Sequence, residues 1–197
     1  MKLFLLVLLL ISFFYLQTKA NDVREFELEG MSVEDSLLNF KDKKFIQDRL
    51  NDNNTFYYKN RTYAVIGLDI ASDMYEGISV TIKPKDRKYI IYAIEGRLFF
   101  PNDMKKCKKK MGEITNDISS IFPNINPTKL VSVKHGYDKT GNSLFDGNFF
   151  KLSNGQLEIF CIDWSNEITT KENFIDELKL IINTLELREW INEEAFR

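Results

Sequence analysis

The chain contains two cysteines, Cys107 and Cys161, whose side chains could form a disulfide or act as nucleophiles. They lie 54 positions apart. The helical periodicity around Cys107 puts it on the apolar face of a helix, whereas Cys161 lies in a β-rich run. Both side chains are therefore expected to face the core, from opposite layers. The apolar leader of the chain indicates export to an oxidising compartment, where two cysteines commonly pair. We predict a Cys107–Cys161 disulfide, and the alternative is two buried free thiols.

The single histidine, His135, limits the catalytic chemistry that the chain can carry. An ordinary zinc site needs several His or Cys ligands, and a serine triad of the hydrolase type needs a Gly-x-Ser-x-Gly turn, which the sequence lacks. Nothing in the sequence brings His135 to either cysteine for thiol catalysis. The sequence therefore assigns no catalytic, metal-binding or cofactor-binding residue, and binding is expected ahead of catalysis.

The run from Cys161 to Ser165 is the most distinctive short segment, because a predicted strand ends there with a carboxylate, Asp163, and an indole, Trp164. Strand alternation puts Asp163 on the same side as Cys161 and Trp164 on the opposite side. An aspartate at a strand end can orient a ligand or act as a base, and it can equally cap the next turn. Asp163, Trp164 and His135 are therefore the candidate contacts for a ligand or a partner.

The segment that begins at Asp138 superficially resembles a calcium loop, with oxygen-bearing side chains at its first, third and fifth positions. However, Ser143 stands where such a loop needs glycine, and Phe149 stands where it needs a bidentate glutamate. We predict a hairpin turn here. Glycine-rich phosphate loops and nucleotide-binding fingerprints are also absent from the sequence.

Five lysines surround Cys107 on the predicted middle helix: Lys105, Lys106, Lys108, Lys109 and Lys110. One interpretation is a basic patch that meets anionic lipid head groups or another polyanion. The alternative is the solvated face of an amphipathic helix, which commonly carries lysines. The whole chain has 27 basic and 29 acidic side chains, so it lacks the strongly basic balance of a nucleic-acid-binding protein.

The N-terminus carries the clearest functional signal, a leader in which Lys2 precedes an apolar run over residues 3–16. Thr18 and Ala20 supply the small residues that signal peptidase reads, so cleavage is predicted between Ala20 and Asn21. The run is shorter than the 18 or more residues of a typical membrane span, and a retained anchor is the alternative. The predicted organisation is a signal peptide followed by one domain, 1–20 and 21–197. The predicted location is periplasmic or secreted.

The mature chain alternates β-rich runs with amphipathic helical segments. Strands are predicted at 25–29, 55–59, 62–69, 77–83, 88–100, 129–137 and 145–164, with an Asn154-Gly155 hairpin inside the last run. Apolar stripes predict helices that begin near residues 32, 42 and 103, and a last helix over 171–195. Short connections between the strands favour antiparallel pairing. The expected fold class is α+β, with an antiparallel sheet of roughly six to eight strands packed by amphipathic helices.

Two motifs connect the chain to a group of known sequences. A segment of the type Gly-Met/Ile-Ser-x-x-Asp-Ser-Leu-Leu lies at 30–38, and the Cys-x-Asp-Trp-Ser strand end lies at 161–165. With its leader, the chain resembles a group of uncharacterised exported proteins of AT-rich marine bacteria over most of the mature sequence. The resemblance implies export and a single domain, and it implies no catalytic residue.

These features together predict an exported, periplasmic binding protein whose partner is an envelope protein or a small ligand. Its aromatic residues form adjacent sets: Phe56, Tyr57, Tyr58, Phe99, Phe100, Phe149 and Phe150. Because neighbours on a strand face opposite sides, one of each set can leave the core and bind a partner. A hydrolase-like enzyme that uses Asp163 with a second carboxylate is one alternative, and a peripheral membrane protein attached through the five lysines is the other. No nucleic-acid partner and no cofactor are expected, and membrane contact is expected only through a retained leader or weakly at the surface.

Overall fold

The computed structural model describes residues 22–195, and the predicted cleavage site between Ala20 and Asn21 lies outside this range. The strands are β1 (Phe56–Tyr57), β2 (Ala64–Leu68), β3 (Gly77–Ile82), β4 (Ile91–Phe99), β5 (Thr128–Lys134), β6 (Leu144–Lys151), β7 (Gly155–Asp163) and β8 (Glu177–Thr184). The α-helices are α1 (Lys43–Leu50), α2 (Met104–Ile121), α3 (Asn166–Glu172) and α4 (Leu185–Glu193). Short 3₁₀ turns lie at Val23–Glu25, Leu37–Asn39 and Lys59–Arg61.

All eight strands form one antiparallel sheet, in the order β1-β2-β3-β4-β8-β7-β6-β5. The first four strands follow one another as a meander, and so do the last four. The helix α2 carries the chain from β4 to the far edge of the sheet, from which β5 to β8 return until β8 pairs with β4. Strands that are consecutive in sequence thus account for every neighbouring pair except β4–β8. The predicted α+β class and the predicted number of strands are confirmed.

One face of the sheet forms the main hydrophobic core, and we call it the core face. Alternate residues of β4, β7 and β8 point to this face, among them the fully buried Ile94, Ile159 and Leu178. The helix α2 covers the face and packs mainly against β7. It begins after Asp103, whose carboxylate caps its first turn, and it ends just before Phe122, as its apolar stripe and flanking residues predict.

The predicted disulfide lies between α2 and the core face. The Sγ atoms of Cys107 and Cys161 are 2.03 Å apart, at bonding distance, and both residues are fully buried. No free cysteine remains within residues 22–195. Because Cys107 lies in the first turn of α2 and Cys161 lies in β7, the bridge holds the crossover helix against the sheet.

The last predicted helix is wrong in its middle. The sequence predicts one helix over 171–195, but the structure has the end of α3, then β8, then α4. The segment fits both periodicities, because Leu178, Ile181 and Ile182 recur at helical spacing while Leu178, Leu180 and Ile182 alternate. Tertiary pairing decides between them, since β8 hydrogen-bonds to β4 on one side and to β7 on the other. A helix there would leave both neighbouring strands with unpaired edges.

The N-terminal segment is also less regular than its pattern predicts. The strand predicted at 25–29 is wrong, because Leu28 makes only an isolated bridge with Met31. The pattern from Ser32 to Asp35 predicts a helix; the Asp35 carboxylate does accept a hydrogen bond from the Ser32 amide, but only turns follow. Short helical segments are marginal by themselves, so burial of side chains such as Met31 in the core holds this segment instead.

Two glycines permit close approaches within the sheet. The predicted Asn154-Gly155 hairpin joins β6 to β7, and a Cβ at Gly155 would lie 2.2 Å from the carbonyl oxygen of Asn183. Gly96 does not bend its strand, because β4 keeps a continuous register with both neighbouring strands there. Instead, a Cβ at Gly96 would lie 2.5 Å from the ring of Tyr75, so glycine makes room for that ring.

Candidate ligand-binding site

The second face of the sheet carries charged residues from the central strands, and we call it the cavity face. The register places Glu95 and Glu158 on either side of Ile181, and it pairs Lys179 with Phe160 in the next row. Since the intervening residues of these strands point to the core face, alternation directs these five side chains to the opposite face.

A cavity of about 380 Å³ lies on this face, bounded by α4 and by the residue that follows β5. Its apolar lining includes Val65, Ala93, Phe145, Phe160, Ile181 and Leu187. Its polar lining includes Tyr58, Glu95, His135, Glu158, Lys179 and Arg188. Small-molecule sites have volumes in this range and combine apolar walls with a few placed polar groups. The cavity has the size and the composition of such a site.

Glu158 is the most buried charged side chain of the cavity lining, with 3% of its surface exposed. Its Oε1 accepts hydrogen bonds from the side-chain amides of Gln156 at 3.0 Å and Asn183 at 2.9 Å, and Nε of Arg188 lies 3.1 Å from the same oxygen. No group of the described residues donates to its Oε2. Burial raises the pKa of Glu158, while Arg188 opposes the shift. One oxygen of this carboxylate is therefore left without a partner beside the cavity.

Three acidic and three basic side chains balance one another on the cavity face. Oε1 of Glu95 lies 2.6 Å from Nε of Arg97 and 3.6 Å from Nζ of Lys179. Lys179 also reaches Oε1 of Glu177, at 3.5 Å. Burial raises the pKa of Glu177, and Lys179 and Arg97 oppose that shift. Glu158 and Arg188 form the remaining pair of this group. Pairing between opposite charges reduces the free-energy cost of holding them away from water.

Tyr58 and His135 contribute uncharged polar groups to the lining. Burial, together with the nearby carboxylates of Glu95 and Glu158, raises the pKa of Tyr58 to about 12, so its hydroxyl stays protonated at neutral pH. Burial and the charge of Lys179 lower the pKa of His135, which favours the neutral imidazole. Both side chains therefore offer hydrogen-bonding groups without adding charge to the cavity.

Two of the three contacts predicted from the sequence lie side by side. His135 follows β5, and its ring centroid lies 4.5 Å from that of Trp164. Trp164 is buried and also packs against Phe174, with centroids 4.8 Å apart. His135 lines the cavity and the indole of Trp164 does not. Trp164 therefore supports the ring of His135 from outside the cavity.

Asp163, the third predicted contact, lies on the other side of the sheet. It is exposed and shares the core-face side with Cys161, as alternation predicts. Partial burial and the neighbouring carboxylate of Asp176 raise the pKa of Asp163, while Lys108 opposes the shift. Folding thus brings other carboxylates near Asp163, but Asp176 accepts hydrogen bonds from two backbone amides and Asp146 binds Lys108 and a third amide. Asp163 and the histidine of the cavity therefore do not share a site.

The predicted turn at Asp138 is held by hydrogen bonds to its buried carboxylate. Oδ1 accepts from the amide and the hydroxyl of Thr140, and Oδ2 accepts from both groups of Ser143 and from the hydroxyl of Ser165, at 2.7–3.0 Å. These bonds keep the pKa of Asp138 well below its usual range. Ser165 also caps α3, so the turn between β5 and β6 is joined to that helix. Within the described part of the chain, no cluster of three or more His, Cys, Asp or Glu could hold a metal ion.

The lysines of α2 are partly paired. Lys108 binds Asp146, and Lys109 and Lys110 lie 4.0 and 3.7 Å from the carboxylate oxygens of Glu113. The other two lysines of this group are exposed. Neighbouring carboxylates therefore balance part of the basic charge. No helix within residues 22–195 is long and apolar enough to cross a membrane.

The adjacent aromatic residues divide between core and surface as alternation predicts. Phe100 and Phe150 are buried in the core, whereas Phe56 is 57% exposed on the short edge strand β1. Tyr58 lines the cavity, and Phe149 lies on the cavity face with its ring 5.2 Å from that of Phe160. Of these adjacent aromatic residues, Tyr58 therefore contributes directly to the cavity lining.

Sequence reasoning missed the charged residues of the cavity. Glu95 and Glu158 lie inside runs that are correctly predicted as strands, and a carboxylate within such a run is a usable signal because charged residues are rarely buried unless paired. Lys179 and Asn183 carried no such signal, since their segment was assigned to a helix. The cavity depends on the position of β8 between β4 and β7, which the sequence pattern does not predict.

Comparison with known proteins adds no assignment to this geometry. The chain matches no protein-family model, and neither a curated protein nor a solved structure matches it. The cavity and its charge-balanced lining therefore define the candidate site.

Proposed function

We propose that this protein is an exported binding protein that holds a small ligand between the cavity face and α4. The observation that carries the proposal is the cavity of about 380 Å³, whose lining combines apolar side chains with paired charges. The core face already supplies the fold with a closed hydrophobic core. The other face holds six charged groups, of which Glu158 and Glu177 are buried. Burying charges costs stability, and such a cost is typical of functional sites.

A small ligand has more support than a protein partner. Stable protein interfaces bury a broad surface, on the order of 800 Å² on each side. The large exposed apolar side chains, such as Phe56, Met74 and Val131, belong to separate elements of the chain. The cavity, in contrast, gathers residues from six strands, α4 and the histidine after β5 at one place.

The proposal includes export to the periplasm or beyond the cell. The predicted signal peptide at 1–20 and the Cys107–Cys161 bridge support it, because disulfides persist in oxidising compartments. Fractionation of the native cells should find the protein outside the cytoplasm, and N-terminal sequencing should start at Asn21. An intact Met1 on the exported protein would contradict the cleavage.

The binding test titrates the oxidised protein into N-phenyl-1-naphthylamine, a neutral dye whose fluorescence increases in apolar sites. We expect saturable binding of one dye per chain. A double variant, Val65→Trp with Ile181→Trp, fills the cavity from β2 and β8 and should weaken binding by roughly tenfold or more. Val131→Trp, on an exposed position of β5, is the matched control and should bind like the wild type.

Two results would contradict the proposed function. One is the absence of saturable dye binding to the folded wild-type protein. The other is equal binding by the wild type and the filled double variant when near-ultraviolet circular dichroism shows that both are folded.

A further inference from the structure

Glu158 and Tyr58 each contribute to the cavity lining a polar atom that takes part in no hydrogen bond within the described residues. All three contacts of the buried Glu158 carboxylate go to Oε1, which leaves Oε2 without a partner among the described residues. The Tyr58 hydroxyl likewise takes part in no hydrogen bond within the described part of the chain, although it lies close enough to Glu158 to interact electrostatically with it. Neither atom is among the fully buried polar atoms that lack a partner, so both stay accessible from the cavity and can receive a ligand.

The charges of the lining indicate which ligands fit. Glu95 and Glu158 are balanced by Lys179 and Arg188, so the lining carries no net charge. A charged ligand would bring an extra charge into a partly dry space with no counter-charge left for it. An uncharged ligand avoids this cost.

The hydrogen-bonding groups narrow the choice further. A carboxylate oxygen can only accept a hydrogen bond, whereas a phenol can donate one. An alcohol can donate and accept at the same oxygen, but an ammonium group can only donate and an ether can only accept. Among simple uncharged groups, a hydroxyl therefore satisfies Glu158 and Tyr58 together.

We propose that the cavity selects small uncharged amphiphiles with a hydroxyl group, which donates to Oε2 of Glu158 and accepts from Tyr58. The apolar body of the ligand then packs against Ile181, which pairs directly with Glu158 in the sheet, and against Phe160 in the next row. This inference rests on the proposed binding function, and it adds the chemical class of the ligand.

The experiment measures how well four compounds, each with an eight-carbon chain, displace the bound dye from the wild-type protein at neutral pH. The compounds are 1-octanol, octylamine, octanoate and methyl octyl ether. Octanol should compete at concentrations roughly tenfold or more below those of the other three, because only octanol makes both hydrogen bonds without adding charge.

Variants then assign the selectivity to the two residues. Tyr58→Phe should weaken the binding of octanol and of the ether by about fivefold, because both accept a hydrogen bond from Tyr58, and it should leave octylamine, which can only donate, unchanged. Glu158→Gln should reduce the preference for octanol over the ether. Glu177→Gln is the matched control, because Glu177 is a buried, paired glutamate on the same face that does not line the cavity. This control should keep the preference of the wild type.

The outcomes separate this inference from the function on which it rests. If octylamine or octanoate competes as well as octanol, or if the ether equals the alcohol, the ligand class is wrong while dye binding still supports the cavity as a binding site. If Glu177→Gln changes the selectivity as much as Glu158→Gln does, the role of Glu158 is wrong. If the wild-type protein does not bind the dye at all, both the function and the ligand class are refuted.

Discussion

Removing the Cys107–Cys161 bridge should lower the stability of the protein substantially. The bridge connects two fully buried residues that are 54 positions apart, and it spans the crossover from α2 to β7. In the unfolded chain it closes a long loop and so restricts the conformations that are available. The perturbation has two forms: reduction of the wild-type protein, and the double variant Cys107→Ala with Cys161→Ala.

The loop length sets the expected size of the effect. For a loop of this length the chain-entropy relation gives a loss of about 4 kcal/mol in the free energy of unfolding. A single domain is stable by only about 5–15 kcal/mol, so the bridge would account for a large share of the total. With a urea dependence of about 2 kcal/mol per molar, the unfolding midpoint should fall by about 2 M.

Equilibrium unfolding in urea, followed by the fluorescence of the two tryptophans, measures this loss. Oxidised wild type, reduced wild type and the double alanine variant are compared under the same conditions. The reduced wild type is the matched control, because it keeps both sulfur atoms and differs only in the bond between them. A shift below about 1 kcal/mol on reduction, with complete oxidation of the starting protein shown by mass, would refute loop closure as the main contribution of the bridge.

Three other perturbations test individual contacts. Gly155→Ala should destabilise the protein by about 2–4 kcal/mol in the same urea assay, because the new Cβ would lie 2.2 Å from the Asn183 carbonyl oxygen. The same substitution at Gly112 in α2, where a Cβ meets open space, should instead stabilise the protein by up to about 1 kcal/mol. Asp138→Asn should speed hydrogen exchange at the amides of its turn. Because the pKa of Asp138 is lowered, the stabilisation by its carboxylate is present above the ordinary carboxyl pKa of 3.8 and is lost on protonation. The difference in exchange between the variant and the wild type should therefore shrink as the pH falls below 3.8. Glu158 has a raised pKa, so the folded state keeps the proton of this side chain to higher pH than the unfolded state does. The free energy of unfolding should therefore fall as the pH rises from about 4.5 through the folded-state pKa. Glu158→Gln should flatten part of that fall, and an unchanged slope would show that another group causes it.

Local patterns predicted the elements whose signals lie within one short segment. The helix α2 has an apolar stripe over five turns, a capping aspartate before it and Phe122-Pro123 after it, so its bounds follow from neighbouring residues. The hairpin between β6 and β7 follows from Asn154-Gly155 in the same way. The segment at β8 could not be assigned like this, because its apolar residues fit a helix and a strand equally well. Pairing with β4 and β7 makes this segment a strand. β4 lies far from β8 in the sequence, and β7 lies on the opposite side of β8 in the sheet.

The candidate site was harder to predict than the fold because its residues are dispersed along the chain. His135 could be singled out as the only histidine, but Glu95, Glu158 and Arg188 have no common motif or spacing. They meet because β8 pairs with both β4 and β7 and because α4 follows β8 without a loop. Asp163 shows the converse, since its distinctive sequence context does not place it beside the cavity.

The sequence by itself determined the α+β class, the antiparallel pairing of consecutive strands and the partners of the disulfide. These properties depend on local periodicity, on turn residues and on the presence of only two cysteines, and the signal peptide stays a prediction of the same kind. The tertiary structure alone decided that β8 is a central strand, that one face of the sheet is a closed core and that the other encloses a charge-balanced cavity. The physical reason is that burial and pairing depend on residues distant in sequence. A glutamate such as Glu158 becomes a buried acceptor only when its own strand, β8 and α4 come together.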